Sequence, residues 1–441
     1  MIKQIQHRYS SLKIQLNNNE TFVWTFLEFA ASNGFRLLSS LILTRIFLPE
    51  QFGLMAILVT VYIGVELLSD IGFETSIIKH HDEKDSDFLK SAWTLCVARG
   101  FILCIVILLT ANFFSELFGA EILEQYLLVF SFIFIIRGFK STSLVLHIKN
   151  KKVKTLSKVE LPLQVITLIS TCSLAAYFES LWAFIFGMMF SESLRTLSTY
   201  YILKGGVTGF LLVKKHVNNM IKFGKWLFFA SMLTFLSFQG DRLLLGIYLT
   251  KEDLGIYHVA ATLAALPIML HGALSSKILF PSLCEKLNLP VAEFNAFFVQ
   301  LRQKVVLLSF PIAIILAIFG QEIIALLYKS NYQNAGRMLQ ILSIGAMLQI
   351  TCDSISPILI AKGDSFRHML YTGFRATLFI TSIVVGHYFF QFNGVLIALA
   401  VAPFYSIILV SLLVRKYVKL SNFFSLVLIM ISFSVLILIV R

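Results

Sequence analysis

The sequence predicts an all-α polytopic membrane protein with about 12–13 transmembrane helices arranged as two pseudo-symmetric six-helix lobes around a central cavity. Three observations lead there: the apolar composition with its series of long apolar runs, the way basic residues sort between those runs, and an internal repeat that relates the two halves. The chain has 441 residues, of which 57% are apolar and only 14% charged, with a mean hydropathy of +0.82. Soluble domains sit near about 45–50% apolar and about 25% charged. A chain this apolar would aggregate in water, whereas a bilayer accepts its apolar faces.

A spanning helix needs roughly 20 apolar residues. Runs of that kind occupy 22–46, 54–78, 89–112, 125–147, 160–178, 181–203, 223–249, 254–280, 304–320, 335–360, 369–390 and 394–414. A thirteenth, 423–440, is apolar throughout and is long enough to span or to lie as an anchor. The polar stretch Met1–Glu20 before the first run is unlike a cleavable leader, so the first helix is expected to stay.

Orientation is read from Lys and Arg. With the N-terminus inside, the inner segments collect about 25 of the 37 basic residues. Lys149, Lys151, Lys152 and Lys154 fall in one such loop, Lys214 and Lys215 in another, and Arg415, Lys416 and Lys419 in a third. The outer segments hold Arg45, Lys251, Lys329, Arg337 and Arg441. The N-terminus is therefore expected in the cytoplasm. The net charge of +13 is explained by these loops, and no nucleic-acid partner is expected. The loops are too short for a folded extramembrane domain, which argues against polymerases and ligases that carry catalytic residues in one. Cys96, Cys104, Cys172, Cys284 and Cys352 are widely spaced and suggest neither disulfides nor a metal site.

The chain repeats itself. Glu50-Gln51-Phe52-Gly53 follows the first run and Glu252-Asp253-Leu254-Gly255 the seventh. Tyr177-Phe178 ends the fifth and Tyr388-Phe389 the eleventh. The offsets are roughly 200–211 residues, and six helices separate each pair, so the copies face the same way. The organisation expected is a cytoplasmic segment 1–21, an N-lobe 22–205, a cytoplasmic linker 206–222, a C-lobe 223–415, and a C-terminal segment 416–441 holding the extra helix.

Ionisable residues inside spans cost about 2.5–3.5 kcal/mol each near the helix centre. This chain has many. Glu28, Ser32, Arg36 and Ser40 recur every four residues and share one face of the first helix. Tyr62, Glu66, Asp70 and Glu74 do the same on the second. Ser237 with Asp241, and Gln349 with Asp353, form shorter stripes in the second half. Such stripes face a water-filled cavity or one another. Arg195, Arg375 and Glu74 lie nearer helix ends, where snorkelling accounts for a charge. Arg36, Arg99, Arg137 and Arg242 are the candidates for binding a cavity anion. A guanidinium offers a planar fork that matches phosphate oxygens, so a diphosphate suits them. Glu28, Glu66, Asp70, Asp241 and Asp353 are the acidic cavity candidates, offsetting the arginines or holding a coupling cation. Asp241 and Arg242 are adjacent and point in different directions around their helix, so they make a poor pair with each other. Pro162, Pro267, Pro311, Pro357 and Pro403 are positions where spans can bend.

His80-His81-Asp82-Glu83-Lys84-Asp85 fits an HHxxxD spacing that serves acyl transfer with His as general base. Here it lies in a short charged loop with no domain around it, and the expectation is a solvated loop. No catalytic residue, metal or cofactor is assigned, and the chain is not expected to be an enzyme.

Asn33-Gly34-Phe35-Arg36-Leu37-Leu38, then Leu43-Thr44-Arg45-Ile46-Phe47-Leu48-Pro49-Glu50-Gln51-Phe52-Gly53-Leu54, and then Ser69-Asp70-Ile71-Gly72-Phe73, resemble the opening of bacterial oligosaccharide flippases. Gly240-Asp241-Arg242 with Leu254-Gly255-Ile256-Tyr257 resembles the same region of the second half. The chain is similar to the polysaccharide repeat-unit flippases of the multidrug/oligosaccharidyl-lipid/polysaccharide exporter superfamily, most of all to the branch with the colanic-acid exporter. That resemblance implies two lobes forming a V. It also implies alternating-access export of undecaprenyl-diphosphate-linked oligosaccharide across the bacterial cytoplasmic (inner) membrane. The product would be exopolysaccharide, capsule or O-antigen lipopolysaccharide. Membrane lipids, and a polymerase and chain-length protein of the same pathway, are the other implied partners. A multidrug or cation antiporter of the same fold is the alternative, with a membrane polymerase or ligase behind it.

Overall fold

The computed structural model describes residues 30–69, 73–79, 85–150, 152–418 and 422–440. Among the described residues the chain is helical throughout, with no strand. It forms two compact units. One is Met1–Phe47 with Val61–Met232, the other Leu48–Thr60 with Leu233–Arg441.

The first unit holds α1 (residues 30–46), the later part of α2 (Pro49–Leu68), and α3 (Phe73–Lys79). It continues with α4 (Ser86–Phe118), α5 (Ile122–Phe130), α6 (Phe132–Gly138), α7 (Ser143–Lys149), α8 (Val153–Phe178) and α9 (Leu181–Tyr201). Helix α10 (Lys214–Tyr248) begins inside the stretch expected to link the lobes and runs on into the second unit. There follow α11 (Lys251–Leu274), α12 (Phe280–Glu285), α13 (Val291–Ile318), α14 (Gly320–Leu327), α15 (Ala335–Asp353), α16 (Pro357–Ala361), α17 (Ser365–Val414) and α18 (Asn422–Val440).

Where the residues are described, the expected spans fall on helix, and the departures have local causes. The fourth span is broken: α5 and α6 together meet α7 at 61°. The tenth is broken in the corresponding place, between α15 and α16, where Pro357 opens the shorter helix. Helix α17 contains both the eleventh and twelfth spans, parted at Phe390 and Gln391, where the backbone is non-helical. Gln391 takes φ 52°, and Glu179, between α8 and α9, takes φ 47°. Both left-handed residues follow an aromatic pair that ends the fifth helix of its half. Seven described helices are long and apolar enough to cross a membrane, or eight if the bent pair is one span. That number treats α17 as one.

On α4, Phe101, Ile105, Leu109 and Phe113 recur every four residues and are all exposed. In water this stripe would drive aggregation, and in a bilayer it is the lipid face. The span Ala335–Ala361, built from α15 and α16, is the opposite case: 78% of the residues in its apolar stretch are buried, against 11% for the span in α8. Helix α15 packs on α11, α13, α14, α17 and α18, and the second unit's core forms around it.

The repeated tetrapeptide has a structural reason. Gln51 and Asp253 are the third residues of α2 and α11. Gln51 Oε1 accepts from the Leu48 backbone N–H at 3.1 Å. Asp253 accepts from the Thr250 hydroxyl at 2.8 Å, while Thr250 Oγ1 accepts from the Asp253 N–H at 3.1 Å. Both are capping-box contacts that satisfy the free N–H groups of a helix start. The glycines then let these two starts approach. A Cβ on Gly53 would lie 1.8 Å from the Lys251 carbonyl oxygen, and one on Gly255 would lie 1.8 Å from that of Pro49. The motif is thus a cap followed by a reciprocal backbone crossing within the second unit.

Gly53→Ala and Gly255→Ala should each destabilise the detergent-solubilised protein by about 1–3 kcal/mol through overpacking. Gly373→Ala, where a Cβ meets nothing within 4 Å, should be neutral or stabilising. Thermal midpoints of the three variants test this, and equal midpoints would remove the crossing as the reason for the motif.

Candidate functional site

The polar stripe of α2 meets two arginines from α4 and α6. Glu66 Oε1 accepts from Arg99 Nη2 at 3.1 Å and lies 3.5 Å from Arg137 Nε. Arg99 is fixed further by Ser69 Oγ at 2.7 Å and by the Glu66 carbonyl at 2.7 Å. Arg137 Nη1 donates to the Tyr62 hydroxyl. One carboxylate therefore holds two guanidiniums that would otherwise repel.

The two arginines are neighbours because of the residues that follow them. A Cβ on Gly100 would sit 2.5 Å from the Phe134 carbonyl oxygen, and one on Gly138 would sit 2.9 Å from that of Cys96. Glycine at both positions lets α4 and α6 pack backbone to backbone, and Arg99 and Arg137 flank that contact.

A second cluster adjoins the first. Lys140, just past α6, pairs with Glu192 of α9. Arg195 bridges Glu192, at 3.2 Å, and Glu160 of α8. Arg137 lies within electrostatic reach of both Glu66 and Glu192, so the clusters form one network. Among the described residues it sets Glu66, Glu160 and Glu192 against Arg99, Arg137, Lys140 and Arg195. The cations exceed the carboxylates by one. A cavity of about 250 Å³ opens on this network, with Glu66, Glu74, Arg99, Arg137 and Lys140 on its wall.

The second unit has a smaller cavity, about 220 Å³, where Asp241, Arg242, Gln349 and Arg375 stand among alanines and other apolar residues. Asp241 accepts from the buried Tyr257 hydroxyl at 2.6 Å, and Arg242 donates to Gln239 at 3.1 Å. The adjacent pair thus find separate partners, as their helix geometry requires. Arg375 is paired with Asp353 at 2.7 Å.

Of the sequence-derived candidates, Arg99, Arg137 and Glu66 converge directly. Arg242 and Asp241 share the second unit's cavity, with Asp353 next to it through Arg375. Arg36 lies exposed on α1. Glu28 and Asp70 lie outside the described residues, as do His80 and His81 of the HHxxxD stretch. Asp85 of that stretch is an N-cap, accepting from the Phe88 N–H at 3.0 Å. Sequence reasoning missed Lys140, Glu160 and Arg302. Lys140 lies inside the expected fourth span, at the break between α6 and α7, and Glu160 is the first residue of the expected fifth. Arg302 fell just outside a run taken to begin at 304, but α13 begins at Val291 and buries it. It donates to Ser354 at 2.8 Å and to Ser425 at 2.9 Å, fastening α18 to the bundle.

Residues 42–337 match the family described as "Polysaccharide biosynthesis protein". The chain belongs to that family. Proteins similar to it include the lipopolysaccharide biosynthesis protein WzxC of Escherichia coli (strain K12), 22% identical over 82% of this chain and 74% of that one. The succinoglycan biosynthesis transport protein ExoT of Rhizobium meliloti (strain 1021) is 21% identical, over 77% and 68%. Among solved structures, the lipid II flippase MurJ in an inward closed conformation superposes with a TM-score of 0.71 at 13% identity, covering 95% of this chain and 97% of that one. An inward-facing transporter of the multidrug resistance MATE family gives 0.68 at 13% identity, over 88% and 94%. These likenesses establish the fold of a multi-helix membrane transporter. The family expected from the opening motifs and the all-α polytopic fold class both hold. The chain is a multi-pass membrane protein of polysaccharide biosynthesis.

Glu192→Ala should destabilise the purified protein by about 3–5 kcal/mol, because Lys140 and Arg195 lose their shared counter-charge in a buried site. Lys140→Met in the same chain should recover a large part. Denaturation of both variants measures it, and simple additivity would mean the network does not couple these residues.

Proposed function

We propose that the chain is a flippase that moves undecaprenyl-diphosphate-linked oligosaccharide repeat units across the bacterial cytoplasmic membrane by alternating access. The product feeds exopolysaccharide, capsule or O-antigen synthesis. The observation that carries this reading is the cavity of the first unit, where, among the described residues, Arg99, Arg137 and Lys140 line a space with Glu66 and Glu74. Guanidinium forks bind phosphate oxygens bidentately, and their worth rises where water is excluded. A cationic cargo would call for the opposite balance. The family and its named transport relatives support a polysaccharide cargo.

In this reading the lobes are 22–205 and 223–415, and the N-terminus is cytoplasmic, following the asymmetry of Lys and Arg. The headgroup enters from the cytoplasmic leaflet, and Arg99, Arg137 and Lys140 exchange part of their internal pairing for the diphosphate. Arg36 on α1 and Arg242 in the second unit's cavity complete the set of candidate contacts, while Glu66 holds Arg99 and Arg137 and Asp353 holds Arg375 in the empty state; Asp241 stays an acidic cavity candidate, bound to Tyr257. The lobes rock, and the headgroup leaves outward while the polyprenyl tail stays in lipid. No bond is made or broken, so no cofactor enters.

Deleting the gene in its host should abolish the surface polymer and leave the complete lipid-linked repeat unit on the inner face. Wild type should restore polymer. Arg99→Ala and Arg137→Ala, expressed at equal membrane level, should restore less than a tenth of it, the loss of one charge-assisted contact being worth about 1.5–3 kcal/mol. Polymer that persists in the deletion strain, together with raised sensitivity to cationic drugs, would favour an antiporter.

A further inference from the structure

The second unit carries a cleft whose chemistry differs from that of either charged cavity. It measures about 540 Å³ and is formed by the starts of α11, α14 and α15 and by the break in α17. Four carboxamides face it: Gln321, Gln333, Asn334 and Asn393. Among the described residues its charged lining is Arg337 and Asp253, one of each sign. Phe392 supplies a ring, and Met338, Ile341 and Leu396 form an apolar strip.

Each feature narrows the ligand. A diphosphate needs surplus cations, and here the formal charge is zero. A purely apolar ligand would strip water from four amides and return no hydrogen bond, at a cost of about 1–3 kcal/mol each. A carboxamide presents a donor and an acceptor side by side. That suits neighbouring hydroxyls, each of which can donate and accept. An aromatic ring beside such groups suits the C–H face of a sugar ring. The volume falls within the range of about 300–1,000 Å³ typical of small-molecule sites.

The platform is also rigid. A Cβ on Gly320 would lie 3.0 Å from the Gly336 carbonyl oxygen, so α14 and α15 start in close contact. Gln340, buried between them, donates to the Ile318 carbonyl at 3.0 Å and accepts from Gln321 Nε2 at 3.1 Å. Gln321 is thereby oriented by a second amide that never reaches the cleft. On the other side, the left-handed turn at Gln391 sets Phe392 and Asn393 at the rim. Held donors and acceptors lose less freedom on binding than mobile ones.

We propose that this cleft is a saccharide-binding subsite on the outer edge of the second unit, taking the oligosaccharide part of the cargo as it leaves. The assignment of cargo and of outer edge rests on the flippase reading and orientation above. The subsite contributes selectivity that the diphosphate, common to all such cargo, does not supply.

The test uses full-length Asn334→Cys, with the exposed Cys284 changed by Cys284→Ser, in right-side-out membrane vesicles. A membrane-impermeant maleimide is the label. Two probes compete: the repeat-unit oligosaccharide released from the host's own polymer, free of lipid and phosphate, and inorganic pyrophosphate. Labelling should proceed from outside, and the oligosaccharide should slow it several-fold while pyrophosphate leaves it unchanged. Adding Gln333→Ala and Asn393→Ala should keep the labelling and abolish the protection. Labelling only after permeabilisation, no slowing by the oligosaccharide, or equal slowing by pyrophosphate would overturn the proposal. Protection seen in a protein whose deletion leaves the polymer intact would keep the saccharide subsite and remove the cargo reading.

Discussion

A charge in a bilayer core has no water to turn to, so it must find its counter-charge inside the protein. That constraint organises both units. Glu66 sits between Arg99 and Arg137, Glu192 between Lys140 and Arg195, and Asp353 against Arg375. Each pairing crosses from one helix to another, except the link between Glu192 and Arg195 within α9. The pairings therefore do two jobs at once. They cancel insertion costs that hydrophobic burial would otherwise have to offset, and they fix which helix faces meet.

The same constraint explains where glycine is used. Long cationic side chains reach a shared carboxylate only if their helices come close, and close approach requires backbone against backbone. Gly100 and Gly138 provide this immediately after Arg99 and Arg137. Gly53 and Gly255 provide it at the helix starts of the repeat. Small residues between helices and charged residues beside them are one arrangement, since packing in lipid gains little from hydrophobic burial and depends on contact.

Much of this was legible in the sequence. The spans, the repeat and the polar stripes follow from periodicity, because 3.6-residue geometry and bilayer thickness leave few alternatives. The convergence of Arg99 and Arg137 on Glu66 was legible only in part: the sequence marked each as costly without naming its partner. Partners are a tertiary property, and three charges at the same depth on three helices can pair in several ways. Arg302 was lost for a simpler reason. Helices extend beyond their apolar runs, so a charge one turn outside a run can still be buried. The carboxamide cleft left no trace at all. Its four amides lie on three separate segments and look, one by one, like ordinary loop residues.

The near-cancellation of charge in the first unit's ion-pair network has an electrical consequence. Its carboxylates already offset all but one of the described cations in the network. A diphosphate diester brings two negative charges, so under the proposed function the loaded network is net negative while the empty one is not. Bacterial cytoplasm is electrically negative relative to the outside. Each negative charge carried outward across that field gains about 2.3 kcal/mol per 100 mV. A site stocked with many unpaired arginines would have bound the headgroup more tightly and hidden its charge from the field. Under the proposed function, one that keeps its own carboxylates would leave the cargo its charge for the resting voltage to act on.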